Sequence, residues 1–329
     1  MNIELKFTIL LMVFQFTMQA YALLFTVPSL GAKVVDADIV AVGTFVCKNT
    51  NVLFRVEKSI CGSLGPGCEM VVVASGKNPL FDLSRMAEMI GEEPRLILGD
   101  RIQQGVRLTG DASSVLPCDS SRKAKIGNLE QSVEAIRLLL GYKALFAEDE
   151  SELASKLLHD VSNPIGRAAV TAFLAQDVRC WKGNERKREE FGCIIAFRFL
   201  QIDAIEEASV WNFYMGMPSI PASIQLRYLA KVYFKSAEGR RLARKALMNK
   251  LRLHGYRPDT EITMEMIDYY MAKAAEYDKK WCSRMLDSDN SVIKSMASDI
   301  LSLISHNSQA NSCGKGGGNC TGVSRFLSD

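Results

Sequence analysis

Val52-Leu53-Phe54-Arg55-Val56-Glu57 places Phe54 and Val56 on one face and Arg55 and Glu57 on the other. A period of two residues is that of a half-buried β-strand. Upstream, Ala37–Val46 is β-rich, and Asn49-Thr50-Asn51 supplies a turn between the two runs. Downstream, Cys61 and Cys68 bracket the turn-rich loop Gly62-Ser63-Leu64-Gly65-Pro66-Gly67, and Glu69–Ala74 reads as a third strand. Arg95–Leu98 and Val106–Thr109 read as a fourth and fifth, with a short helix or long loop expected over 77–93. Five short strands joined by Gly-rich turns predict a small barrel or sandwich, because closure removes the exposed sheet edges.

The period changes to that of helices at Asn128, where Leu129, Val133, Ile136, Leu139 and Leu140 form one apolar stripe. Pro164 and Pro221 each open a helix, since proline has its φ preset and lacks only an amide that would go unpaired there. Residues 238–253, 261–280 and 290–305 read as further helices. The fold class expected is multidomain: an all-β small barrel over 23–122, an all-α half over 126–306 and a flexible Gly-rich tail over 307–329.

Residues 1–22 read as a signal peptide. Lys6 precedes the apolar run Thr8–Phe14, and Ala20-Tyr21-Ala22 has the small-x-small pattern of a cleavage site. Export to the periplasm or the extracellular space is therefore expected. No other stretch is apolar enough to cross a bilayer, so no stable membrane insertion is expected after cleavage. A net charge of +3 is too near neutral to argue for nucleic acid as a partner.

An exported chain exposes its nine cysteines to oxidation. Cys47, Cys61, Cys68 and Cys118 fall in the β half, where they allow two disulfides in three connectivities. Cys180 with Cys193, and Cys313 with Cys320, are the other near pairs. Nine is odd, and Cys282 is the thiol expected to be left over as a buried apolar residue.

Two resemblances extend these patterns. Ala37-Asp38-Ile39-Val40-Ala41-Val42-Gly43, followed by Phe54-Arg55-Val56-Glu57-Lys58-Ser59-Ile60-Cys61-Gly62, resembles an exported bacterial module. Such modules have an OB-type barrel similar to the netrin-like domain and to tissue inhibitors of metalloproteinases. The resemblance implies that Leu96-Ile97-Leu98 and Val106–Gly110 are the closing strands. The inhibitors chelate zinc with an N-terminal cysteine. Here cleavage leaves Leu23 first and no cysteine before Cys47, so that activity does not transfer. In the α half, Leu157–Val170 resembles the turn and second helix of a HEAT repeat, and Met285–Ala297 repeats the pattern. An aspartate serves the turn, a branched residue fills the core and small alanines permit close helix approach. An irregular bundle with two similar turns is the competing expectation.

Catalytic constellations are not legible. His159, His254 and His306 are far apart, no Cys-x-x-Cys occurs, and Ser120-Ser121-Arg122-Lys123 lacks the companion motifs of a Ser-x-x-Lys nucleophile. No catalytic residue, cofactor or metal site is assigned. Arg240, Arg241, Arg244 and Lys245, with Lys250 and Arg252, make one helix strongly basic and mark a possible partner surface. The run Arg186-Lys187-Arg188 is neutralised by Glu185, Glu189 and Glu190. The function expected is an exported, non-enzymatic interaction or scaffold protein with a protein partner. The alternative is an envelope polysaccharide-binding protein or hydrolase using acids such as Glu148 with Asp149, or Glu206 with Glu207.

Overall fold

A computed structural model describes residues 33–48, 51–76, 82–110, 114–117, 129–175, 178–202, 207–217, 219–253 and 261–313. They divide into two compact units: residues up to Ala144 with Pro164–Lys182, and Leu145–Asn163 with Gly183 onward. The expected signal peptide, Cys118, the 120–123 motif and the glycines of the tail lie outside the described residues.

The first unit is built on a barrel. Its strands are β1 (Ile39–Lys48), β2 (Asn51–Cys61), β3 (Glu69–Val73), β4 (Arg95–Ile102) and β5 (Gly105–Leu108). β1 pairs antiparallel with both β2 and β4, β2 with β3 and β4 with β5, while β3 and β5 run parallel. Following the pairs β1-β2-β3-β5-β4 returns to β1 and closes the sheet. A three-residue strand, β6 (Val115–Pro117), which the sequence did not signal, lies antiparallel along β4. The expected alternation in β2 is present: Phe54 and Val56 are buried, while Arg55 and Glu57 are exposed.

Phe54 meets Phe45 edge to face at 5.1 Å inside the barrel, among Ile39, Ala41, Val72, Ile97 and Val106. Helix α1 (Leu83–Ile90) resolves the 77–93 segment. Asp82 caps it by accepting a hydrogen bond from the Arg85 N–H, and Leu83, Met86 and Ile90 pack on the barrel core. Gly43 is needed where β1 bulges between Val42 and Gly43, since a Cβ there would lie 2.0 Å from the Arg55 carbonyl oxygen. The motif residues Asp38 and Gly62 meet at this closure. Asp38 accepts from the Arg101 N–H at 3.1 Å, and the Arg101 guanidinium donates to the Gly62 carbonyl.

β1 is not half-solvated. Val40 and Val42 on its outer face, like Leu96 and Leu98 of β4, are as buried as the interior positions. The same unit contains most of helix α2 (Leu129–Glu148) and all of α4 (Pro164–Phe173). Phe173 joins them, its ring 5.5 Å from Tyr142 of α2 and 5.1 Å from Trp181, whose indole N–H donates to the Phe173 carbonyl at 2.7 Å. Lys143 donates to the Val35 carbonyl and Arg179 pairs with Asp36, fastening these helical residues to the segment that leads into β1.

The second unit is all helical. It contains α3 (Glu150–Asp160), α5 (Glu185–Leu200), α6 (Ala208–Gly216), α7 (Ala222–Lys235), α8 (Ala237–Leu253), α9 (Met264–Ser283) and α10 (Ser291–Cys313). Consecutive helices pack together, α7 on α8 and α9 on α10, and α9 also packs on α7. α10 returns to α3 and α5: Asn290 at its start donates to the Glu150 carbonyl at 2.8 Å, and Ser288 meets Glu190. Repeats of an open solenoid touch only their neighbours, so this unit is packed as a bundle. In the second repeat-like turn the cap is Asn290, which accepts from the Val292 and Ile293 N–H groups, and not an aspartate. Helix α10 also runs to Cys313, past the 305 limit and into the stretch expected to be flexible, because residues 306–313 contain no glycine to stop it.

Candidate functional site

Helix α8 is divided lengthwise by its sequence. Gly239, Ala243, Leu247 and Leu251 recur every four residues and are all buried. At Gly239 a Cβ would lie 2.0 Å from the Val232 carbonyl of α7, so the two helices meet closer than any larger residue permits. That packing turns Arg240, Arg241, Arg244, Lys245 and Arg252 outward, all exposed. Exposed Leu242 lies among them in sequence and adds apolar area.

The four residues expected to form the partner surface are not equivalent. Arg241 folds back on Glu238 one turn earlier, donating through Nε at 3.1 Å and Nη2 at 2.7 Å. The pair lowers the Glu238 carboxyl pKa and raises that of Arg241 through this hydrogen bond. Arg240, Arg244 and Lys245 make no ion pair with any described residue. Three cations without an ion pair thus lie within six residues of one helix, all exposed. Lys250 differs again, because partial burial lowers its ammonium pKa. In the other basic run Arg186 pairs with Glu190 at 3.0 Å as expected, while Lys187 pairs with Glu150, outside the run, and Arg188 is buried.

The acidic alternatives fare differently. Asp149 is the N-cap of α3, its carboxylate accepting from the Ser151 and Glu152 N–H groups at 2.9 Å each, so it serves the backbone. Glu207 precedes α6 without a capping bond, and Glu206 lies outside the described residues. His159 is exposed in the last turn of α3. No three His, Cys, Asp or Glu side chains among the described residues are grouped as metal ligands.

Cys47, Cys61, Cys68, Cys180, Cys193 and Cys282 are all free thiols. Cys61 donates weakly to the Asp38 carbonyl and Cys68 to that of Glu69, so the two thiols flanking the Gly-Pro-Gly loop have different partners. Cys180 lies near Asp36, and partial burial with that charge pushes its thiol up to about 11. The thiol in hydrogen-bonding contact with Cys193 is Cys282, the one expected to be left over, and both are fully buried. The side chain of Cys313 and all of Cys320 lie outside the described residues.

Sequence reasoning missed Asp278. This buried carboxylate on α9 accepts from the Ala222 N–H at 3.1 Å and the Ser223 N–H at 2.7 Å, capping α7 from another helix. Pro221 was legible as the start of α7, but a cap supplied 55 residues later leaves no local signal. No protein-family model, curated protein or solved structure matches this chain.

Proposed function

We propose that this chain is an exported, non-enzymatic interaction or scaffold protein of the cell envelope or secreted space, and that α8 takes an acidic protein partner. The observation that carries the reading is the row Arg240, Arg244 and Lys245, exposed and without internal counter-charges around exposed Leu242. Unpaired surface cations cost the fold little and raise the encounter rate with an oppositely charged surface. An OB/netrin-type relationship for the barrel belongs to the same proposal. It is supported by the β1-β2-β3-β5-β4 order with parallel β3 and β5, and by α1 lying between β3 and β4. A distant HEAT relationship draws support from the pairs α7–α8 and α9–α10. Export rests on the character of residues 1–22 alone.

The test is capture by crosslinking from an envelope or culture-medium extract, with the wild-type chain and the charge-reversed variant R240E/R244E/K245E as baits. A discrete acidic protein should be captured by the wild type and its yield should fall at least about tenfold with the variant. Equal yields would remove α8 as the contact surface. The absence of any discrete partner would return the polysaccharide reading to first place, to be checked with a glycan panel.

A further inference from the structure

We propose that Cys193 and Cys282 are a disulfide site, closed when the chain folds in an oxidising compartment, that staples α5 to α9 across the second unit. Three observations converge on the pair. Cys193 lies mid-way along α5 and Cys282 in the last turn of α9, both with no exposed surface. Their side chains are in hydrogen-bonding contact, so the two sulfur atoms are already neighbours before any bond forms. Nothing else competes for them: the nearby Asp278 has both oxygens committed to the start of α7, and no third ligand makes the pair a metal site among the described residues.

The chemistry sets when the bond can form. Joining the sulfurs removes two protons and two electrons, which pass to a disulfide-bearing oxidant by exchange. One thiolate attacks the oxidant, displacing one of its sulfurs as a thiol, and the second thiolate then displaces the other. Burial and the neighbouring Cys282 raise the Cys193 thiol pKa well above its ordinary value, and an oxidant cannot reach a fully buried sulfur. Closure therefore belongs to the folding chain, before α5 and α9 are sealed. The closed loop spans 89 residues, a length at which a cross-link removes much of the unfolded chain's freedom.

The test does not depend on the basic surface of α8. The full chain is refolded from denaturant with oxidised and reduced glutathione, then denatured, alkylated with iodoacetamide and digested with trypsin. Peptides 189–198 and 281–284 each contain a single cysteine. They should appear joined, two hydrogens lighter than their sum, and separate on reduction. The oxidised chain should melt higher than the reduced one by on the order of 10 °C. The bond should be absent from C193S and from C282S, whereas C180S should retain it. Recovery of both peptides separately alkylated from the oxidised wild type, or joining of either to a different cysteine, would overturn the proposal even if α8 binds its partner as proposed.

Discussion

Several single side chains in this protein satisfy backbone far away in sequence. The Asp278 carboxylate sits at the positive end of the α7 dipole and pairs two N–H groups that have no partner within their own helix. Replacing Asp278 by Ala leaves those groups buried and unpaired, so urea denaturation should show a loss of about 1–3 kcal/mol. A change within experimental error would mean that water replaces the carboxylate at no cost. Cys180 provides a second check. Its thiol pKa of about 11 means that the folded chain holds this proton more tightly than the unfolded one, whose thiol titrates near 9.0. Its contribution to stability is therefore whole below pH 9.0 and declines as the pH rises toward about 11. Iodoacetamide at pH 8 should modify Cys180 roughly 100-fold more slowly than an unperturbed thiol, and faster as the pH climbs. Rapid labelling at pH 8 would contradict the half-buried position beside Asp36.

Elements with a local signature were legible, and those defined by distant partners were not. Phe54 and Val56 announce β2 because a strand solvated on one side must alternate, and Pro164 and Pro221 mark the starts of α4 and α7. β1 lacks such alternation, because Val40 and Val42 are covered as fully as Ile39 and Ala41, and its β-rich composition alone marks it. The three residues of β6 are too few to show any period, and β4 decides their pairing. Gly43 is the element-scale test of the barrel. Alanine there would drive a methyl into the Arg55 carbonyl of the paired strand, and circular dichroism during denaturation should show the barrel weakened by about 3 kcal/mol. An unchanged midpoint would mean that the bulge at Val42 and Gly43 can shift to accommodate it.

Across the whole molecule, the change from β to α pattern near Asn128 was plain in the sequence, yet it is not where the compact units divide. Tyr142, Phe173 and Trp181 bind helical residues into the unit that holds the barrel, through contacts spanning up to 31 residues between aromatic neighbours. The second cut falls between Asn163 and Pro164, inside the first repeat-like motif. Deletion of everything after Lys125 would therefore remove Tyr142, Phe173 and Trp181 from that unit, and point substitutions are the sounder probe. The basic helix was legible because charge needs no partner to be counted. Glu238 precedes Arg241 by three residues, the spacing of neighbours on a helix, so the pairing that sets Arg241 apart follows from reading 238–253 as helical.

Crosslinking capture with R240E/R244E/K245E against the wild type at low and high salt tests whether Arg240, Arg244 and Lys245 receive an acidic protein. Exposed charges are screened over about 10 Å at 0.1 M salt, so capture by the wild type should weaken as salt rises. The charge-reversed bait, with an unchanged circular dichroism spectrum, should retain less than about a tenth of the partner at low salt. Equal capture by both folded baits at every salt concentration would exclude α8 as the contact surface.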